Sequence, residues 1–215
     1  MLPPAFTKVN KYIFDPAAYA WNLPSGFSCP AAEQCLAKAD RKTGKVWNGP
    51  KQTYKCYSAV YERFPTVRNR VWANFDAVRG KDASEIAVTL LRCFPKKAKR
   101  VRPHISGDFY SQDYFDGWLQ FIRAMPHVHF WAFTKSLPFW IKRFDKIPEN
   151  FTLTASRGGK FDNLIEQHKL KSATVVYSIA EASERGLPLD TDDKLAAYGN
   201  QSFALMENFK GEKVK

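Results

Sequence analysis

The sequence predicts a single-domain α/β fold, a partial (β/α)6 barrel in which most strands are parallel. Two observations support this fold class. Short apolar runs alternate with amphipathic segments through most of the chain, as in folds where helices connect neighbouring parallel strands. The apolar runs at 129–134 and 174–179 also show little polar alternation, which is typical of strands buried on both faces. Six such runs separated by helices predict a partial barrel.

The apolar runs predict six strands. In chain order they are Tyr19–Leu23, Val101–Ser106, His129–Thr134, Phe151–Ala155, Thr174–Ile179 and Ser202–Leu205. Apolar residues at three- and four-residue spacing predict helices over 57–93, with a break at Gly80. The segments between the later strands predict further helices at Tyr114–Met125, Phe139–Phe144, Phe161–His168 and Asp192–Ala197.

The composition is that of one folded domain. Of the 215 residues, 45% are hydrophobic and 15% aromatic, which excludes a disordered chain. We divide the domain into an N-terminal extension (1–17), a β/α core (18–209) and a basic tail (210–215). The sequence shows neither a signal peptide nor an apolar stretch of about 18 residues that would span a membrane. A cytoplasmic location with reduced thiols is therefore expected.

Three of the four cysteines, Cys29, Cys35 and Cys56, lie in the loop that follows the first predicted strand. Three thiolates suit an iron–sulfur cluster with one open iron, or a zinc ion completed by a histidine or water. His104 is the preferred histidine for the zinc alternative. The tight Cys-x2-Cys pairs of a zinc ribbon are absent, and a structural zinc hairpin stays open as an interpretation. Cys93 has no cysteine near it in the sequence and is interpreted as a structural thiol.

Polar groups follow four of the predicted strands. They are Ser106-Gly107-Asp108, Thr134-Lys135-Ser136, Ser156-Arg157-Gly158-Gly159 and Glu181. The carboxyl ends of parallel strands meet at one edge of a sheet, where ligands bind, so we expect these residues to form one site with the cysteine loop. Structural interpretations exist as well. Ser-Gly-Asp is a common helix cap or turn, an ion pair with Asp108 would satisfy Lys135, and the glycine pair would offer backbone N–H groups to a carboxylate or phosphate.

Four sequence blocks resemble a known family. They are WNLPSGFSCP with the later C and KCY, HISGDFYSQDYFDGW, FWAFTKSLPFW and FTLTASRGG, and they span about Trp21 to Phe209. The chain resembles the phage- and plasmid-borne gene product 88 family and, more distantly, radical-SAM-like phage proteins with three cysteines. The wider resemblance implies a six-unit partial barrel, a 4Fe-4S cluster held by three cysteines, and an iron left free for S-adenosylmethionine.

The resemblance also implies individual roles. Cys29, Cys35 and Cys56 would be the metal ligands, and we take Asp108 and Lys135 as the candidate catalytic residues. The residues expected near the cofactor are Tyr57, Ser106, Gly107, Thr134, Ser156, Arg157, Gly158 and Glu181.

The charge of the chain favours polyanions. The formal net charge is +12 and the pI about 9.5, which points to nucleic acid above other partners. A short segment around the second predicted strand is especially basic, and its candidate nucleic-acid contacts are Lys96, Lys97, Lys99, Arg100 and Arg102. Such contacts would be made mainly to phosphates. The alternative is a solvated face without a partner.

Three functions are compatible with these features. The leading hypothesis is an iron–sulfur, radical-SAM-like phage enzyme that acts on nucleic acid or a nucleotide-derived substrate in the cytoplasm of a bacterial host. The second is a zinc-containing barrel enzyme that modifies a nucleic-acid base, with Asp108 as acid/base or nucleophile. The third is a non-catalytic phage accessory protein that binds nucleic acid or a host factor through a fold with a structural metal.

Overall fold

The computed structural model of the protein describes residues 2–9 and 13–207. It contains a seven-stranded sheet and a separate two-stranded hairpin. The strands are β1 (Thr7–Lys8), β2 (Tyr19–Trp21), β3 (Ala37–Ala39), β4 (Val46–Asn48), β5 (Arg100–Pro103), β6 (His129–Thr134), β7 (Phe151–Ser156), β8 (Ser172–Val176) and β9 (Phe203–Met206). The large sheet has the order β1-β2-β5-β6-β7-β8-β9, in which β1 is antiparallel to β2 and every other pair is parallel.

Helices connect the parallel strands. They are α1 (Tyr57–Tyr61), α2 (Pro65–Val78), α3 (Ala83–Cys93), α4 (Gln112–Arg123), α5 (Leu137–Ile141), α6 (Asn163–Gln167), α7 (Ile179–Glu184) and α8 (Lys194–Tyr198), with a 3-10 turn at Phe144–Lys146. Side-chain caps determine where three of them begin, among them α3 and α4. Asp82 and Glu85 form a capping box at α3, and Ser111 accepts a hydrogen bond from Tyr114 N at α4. Both arrangements satisfy N–H groups that have no partner within the helix.

The two faces of the sheet are buried in different ways. On β6, Phe130 and Ala132 point to the main core, whereas Trp131 and Phe133 point to the opposite face, because successive side chains of a strand alternate. Helices α2, α3 and α4 cover the main-core face. We call the opposite face the inner face. Helix α8 covers the inner face near His129, at the amino ends of the strands. This helix does not cover the carboxyl ends of the strands.

Aromatic side chains supply much of the main core. Trp118 and Phe121 of α4 are buried and contact Phe6, next to β1. Full burial of one phenylalanine stabilises a fold by about 1.5–3 kcal/mol. Residues 2–9, which the sequence assigns to the N-terminal extension, therefore contribute both an edge strand and a core side chain.

The predicted α/β class and its parallel pairing are confirmed. All six predicted strands are present, and all but β6 have altered bounds. For example, the strand predicted to end at Ile179 ends at Val176, since Ser178 caps α7. Strand β1, the β3–β4 hairpin and α7 are additional to the prediction, because strands of two or three residues show no readable periodicity. The sheet is open, with β1 and β9 at its edges, and the partial barrel stays a prediction.

Two further expectations concern membranes and the end of the chain. Among the helices of the described residues, none is both long and apolar enough to cross a membrane. The predicted basic tail, 210–215, lies outside the described residues.

Candidate functional site

A cavity of about 190 Å³ opens on the inner face, at the carboxyl edge of the sheet. All three candidate metal ligands, Cys29, Cys35 and Cys56, line it. Asp108 and Lys135, the candidate catalytic residues, line it as well. Residues far apart in the sequence thus meet where the loops after parallel strands converge.

The β3–β4 hairpin brings the third cysteine back to the first two. It occupies most of the interval between Cys35 and Cys56, and a hydrogen bond from Gly49 N to Leu36 O (2.7 Å) closes its base. Cys56 then stands at the N-cap of α1. The charged segment between these two cysteines is therefore an excursion that returns the chain to the cavity.

The thiols influence one another electrostatically. Burial raises the pKa of Cys29 well above its usual value. Asp108 and the other two thiols, Cys56 and Cys35, raise this pKa further. A hydrogen bond from Gly26 N to Cys29 Sγ (3.3 Å) acts in the opposite direction. Burial also raises the pKa of Cys56 to about 11. Both thiols are thus protonated near pH 7, and a cation among them would favour their thiolate forms.

A single-ion site is not preformed at these cysteines. Within residues 2–9 and 13–207, no group of three or more histidine, cysteine or carboxylate side chains is placed to hold one metal ion. His104, the histidine preferred for a zinc site, borders the cavity but packs against Phe109 and Tyr114. Its Nε2 lies 3.0 Å from Tyr114 Oη, and burial lowers its pKa to about 3. These contacts favour the interpretation of His104 as a core residue.

Asp108 is held firmly at the wall of the cavity. Its carboxylate accepts hydrogen bonds from Thr134 Oγ1 (2.6 Å), Phe109 N (2.7 Å) and Lys135 N (2.9 Å). Burial raises its pKa to about 6, although these hydrogen bonds lower it. The group therefore changes protonation near neutral pH, which suits a general acid or base. Helix α4 is capped by Ser111 instead, so capping does not explain Asp108.

Lys135 is buried and joins the carboxyl ends of β6 and β7. Its Nζ donates hydrogen bonds to Ser156 Oγ (2.7 Å), Ser156 O (3.0 Å) and Arg157 O (2.5 Å). The structural interpretation expects an ion pair between Lys135 and Asp108. In the structure, Asp108 accepts a hydrogen bond from the backbone N–H of Lys135 and not from its Nζ. A positive charge is thus fixed beside the cysteines by neutral acceptors.

The glycine turn after β7 supports the cysteine loop. Gln34 N donates a hydrogen bond to Gly158 O (3.0 Å). Gly158 has a φ of +89°, a backbone conformation that favours glycine. The N–H groups of Gly158 and Gly159 donate to Asp162 at 2.7 and 3.0 Å. From the sequence, these N–H groups are expected to bind an external carboxylate or phosphate. In the structure they donate to the Asp162 carboxylate of the chain itself.

The turn after β5 supports the same loop from the other side. Ser106 Oγ donates to Leu23 O (2.7 Å), and Leu23 N donates to Ser106 O (2.9 Å). At Gly107, where φ is +86°, a Cβ would lie 2.6 Å from Ser28 Oγ. Gly107 borders the cavity, whereas Ser106 contacts the loop. Both residues therefore position the cysteines.

Of the other candidate cofactor residues, Tyr57, Thr134 and Ser156 line the cavity. The structure does not bring Arg157 and Glu181 to it. The Arg157 guanidinium forms an ion pair with Glu166 (2.7 Å). Glu181 lies on α7, because β8 ends earlier than predicted, and pairs with an arginine one turn further along that helix (2.9 Å).

The basic segment divides between two places. Its exposed members, at the amino edge of the sheet, are Lys96, Lys97 and Lys99. Arg100 forms an ion pair with Asp15 (2.7 Å). Arg102 points to the inner face and lines the cavity, because Val101 takes the main-core side of β5. The prediction that Arg102 belongs to the basic surface is therefore wrong, because its side chain lines the cavity.

Two residues that support the site carry little sequence signal. Glu62 is fully buried, its Oε1 accepts a hydrogen bond from Ser25 N (2.7 Å), and its Oε2 has no hydrogen-bond partner in the described residues. Ser25 in turn is a hydrogen-bonding neighbour of Cys56, so Glu62 fixes the loop of the thiols. Tyr54 lines the cavity beside Cys35. A lone glutamate and one tyrosine among several do not stand out in the sequence.

Comparisons with known proteins identify relatives but no solved fold. A family model described as gene product 88 matches residues 5–214. The Gene 88 proteins of Mycobacterium phage D29 and Mycobacterium phage L5 are each 32% identical to the chain over 126 residues. The match covers 53% of this chain and 45% and 46% of the two relatives, so the chain spans less than half of their length. No solved structure matches.

Proposed function

The chain belongs to the gene product 88 family, and we propose that it is an iron–sulfur phage enzyme of radical-SAM-like type. In this proposal Cys29, Cys35 and Cys56 bind a 4Fe-4S cluster. The adjoining cavity receives S-adenosylmethionine and a substrate. The observation that carries the proposal is that all three thiols share one cavity with Asp108 and Lys135.

The donor set fits such a cluster. Cysteine thiolates are the usual ligands of iron–sulfur clusters, and three of them leave one iron for an external ligand. Burial raises the pKa of Cys29 and of Cys56, so a positively charged group among the thiols would stabilise their ionised forms. When bound, the cluster would supply an electron to S-adenosylmethionine.

The chemistry of the ligands favours a cluster over a zinc ion. Three cysteine thiolates leave one iron of a cluster open to an external ligand, whereas a structural zinc ion needs four protein ligands. The contact of His104 with Tyr114 also removes the preferred fourth ligand of the zinc alternative.

The side chains of the chain itself would bind and orient the substrate. Asp108 can accept or donate a proton at its carboxylate, since its pKa is about 6. Lys135 adds a positive charge to the same wall, and Ser156 a hydroxyl group. Val175 and Leu205, on the inner face, exclude water from part of the wall.

The proposal extends to substrate, shape and location. The net charge of +12 supports nucleic acid or a nucleotide-derived compound as the substrate class. The six parallel strands, which follow one another in chain order, support a partial barrel. Because the thiols must stay reduced to bind iron, we expect the protein to act in the cytoplasm of the bacterial host.

Cleavage of S-adenosylmethionine tests the proposal. Protein reconstituted anaerobically with iron and sulfide is mixed with S-adenosylmethionine and a reductant, and deoxyadenosine release is measured by chromatography. The product measured is 5′-deoxyadenosine, formed together with methionine. The unaltered protein and the control Cys93→Ser should release it, because Cys93 packs at the main core. Cys56→Ser should not. Equal release by Cys56→Ser, or no release by protein that holds a full cluster, would contradict the proposal.

A further inference from the structure

Arg102 has surroundings unlike those of the other basic residues in its segment. On β5 the preceding Val101 is fully buried in the main core, so Arg102 points to the inner face. Its side chain is 12% exposed. It lines the cavity together with Phe133 of the neighbouring β6. The guanidinium charge therefore lies inside the cavity that contains the three cysteines.

One edge of the guanidinium is fixed by the protein. Cζ lies 4.9 Å from the centre of the Phe133 ring, which is a cation–π contact. Nε lies 2.8 Å from Asp193 Oδ2, in an ion pair whose direction does not meet the geometry of a hydrogen bond. Asp193 Oδ2 also accepts a hydrogen bond from Trp131 Nε1 (3.1 Å). The arginine thus shares this carboxylate with a tryptophan.

The guanidinium of Arg102 has more donors than the described residues engage. Within residues 2–9 and 13–207 its ion pair is with Asp193, reached through Nε, and Tyr57 in the same cavity is a hydrogen-bonding neighbour of the guanidinium, so two partners face five N–H donors. A guanidinium presents its donors as a planar fork that matches a carboxylate or phosphate in two hydrogen bonds. Buried donors without a good acceptor cost free energy, which a bound oxyanion would recover.

We propose that Arg102 binds the carboxylate or phosphate group of a substrate in the cavity, with the apolar part of that substrate against Val175 and Leu205. Both apolar residues line the cavity from the same inner face. This inference rests on the proposed function in taking the cavity as the substrate site. It narrows the substrate class to small amphipathic anions.

Calorimetric titration in a buffer free of oxyanions tests the inference. The probes are adenosine monophosphate, adenosine and benzoate, added to the purified protein. At least one anionic probe should bind, and adenosine, which has no oxyanion, should bind at least about tenfold more weakly than the monophosphate if the phosphate is the group recognised. Binding of the monophosphate alone would identify a phosphate-bearing substrate, and binding of benzoate alone a carboxylate.

The variant Arg102→Lys tests whether the anion is recognised by the paired donors of the guanidinium or only by its positive charge. The lysine keeps a cation near Asp193 but loses the paired donors, so the anionic probe should bind about ten- to a hundredfold more weakly. The control Arg143→Lys, at an arginine that pairs with Asp116 (2.6 Å) and does not line the cavity, should bind as the unaltered protein does. A melting curve establishes that both variants are folded.

Two results would overturn the inference. One is that neither anionic probe binds to the unaltered protein. The other is that Arg102→Lys binds them as tightly, because the anions would then be attracted by the net charge alone. Cys56→Ser should retain anion binding, so failure of the cluster proposal and failure of this inference are distinguishable.

Discussion

The carboxyl and amino ends of the parallel strands form two edges of the sheet, and the charged residues at these two edges differ in burial. At the carboxyl edge Asp108 and Lys135 are buried and each has several hydrogen-bond partners. At the amino edge Lys96, Lys97 and Lys99 are exposed to solvent. The hydrogen bonds of the fold hold the charged groups at the carboxyl edge in position, whereas the charged groups at the amino edge are side chains of the exposed surface.

This difference indicates that the carboxyl edge is suited to a chemical reaction and the amino edge to long-range electrostatic attraction. A buried ionised group is stable only where the fold supplies its partners, so the carboxyl edge is a place where atoms are held in fixed geometry. Exposed lysines act over a longer range and are screened by salt. We therefore place the candidate reaction site at the carboxyl edge and propose the amino edge as the surface for polyanion binding.

The largest expected effect of a single substitution on stability is at Asp108. Asp108→Ala removes the acceptor of three buried donors and should lower the free energy of unfolding by about 3–5 kcal/mol. Denaturant unfolding measures this value. The matched control Asp145→Ala, at an exposed carboxylate, should leave stability unchanged. A cost no larger than that of the control would show that the carboxyl edge is not held by this network.

Glu62 tests whether the cysteine loop is held by a hydrogen bond or by a charge. Glu62→Ala leaves Ser25 N without its acceptor and should cost about 1–3 kcal/mol. Glu62→Gln keeps an oxygen acceptor, and burial already raises the pKa of the glutamate, so the neutral amide should cost less than the alanine. Thermal and denaturant unfolding of both variants gives the comparison. If glutamine costs as much as alanine, the charge is what holds the loop.

His104 makes stability depend on pH. Burial lowers its pKa from 6.5 to about 3 in the folded protein, so below pH 6.5 the unfolded chain binds a proton that the folded protein does not. The contribution of His104 to stability should therefore fall as the pH falls, by about 1.4 kcal/mol per pH unit, until the folded pKa is reached. The raised pKa of Asp108, about 6, acts in the opposite direction below that pH, so the His104 contribution is obtained by comparison with a variant. Unfolding is measured from pH 7 to pH 4.

The variant His104→Asn isolates that contribution. Asparagine tolerates the positive φ of 63° at this position and does not titrate. Its stability should vary less steeply with pH than that of the unaltered protein. Parallel pH profiles for the two proteins would mean that His104 is not buried in its neutral form.

The smallest expected effect on stability is at the amino edge. Replacement of Lys96 and Lys97 by glutamate should leave stability unchanged, since both are exposed. It should weaken binding to single- and double-stranded nucleic acid and reduce the salt dependence of that binding, by a slope of about one for each phosphate that the lysines no longer neutralise. Fluorescence anisotropy at several salt concentrations measures both. Unchanged binding would place the polyanion contact elsewhere on the surface.

Central elements of the fold could be predicted from the sequence. The bounds of β6, His129–Thr134, agree with the prediction, because a strand buried on both faces is apolar throughout. The hairpin between Cys35 and Cys56 could not be predicted as strands, since β3 and β4 are three residues each and their pairing is set by contacts outside them.

The site could be predicted in part. Lys135 follows β6 directly, Asp108 lies in the turn after β5, and the parallel sheet brings them together. Arg102 could not be placed, because a run of basic residues gives no indication of which side chain faces inward until the register of β5 is known. Arg157 and Glu181 are bound by local partners, and such pairs depend on the bounds of short helices.

In the proposed function, Cys29, Cys35 and Cys56 together hold an iron–sulfur cluster at the carboxyl edge. Iron, sulfide and zinc are measured in anaerobically purified protein, in Cys56→Ser and in the control Cys93→Ser. We expect about four irons and four sulfides per chain in the unaltered protein and the control, with loss of both in Cys56→Ser. Stoichiometric zinc without iron, or the same iron content in Cys56→Ser, would contradict it.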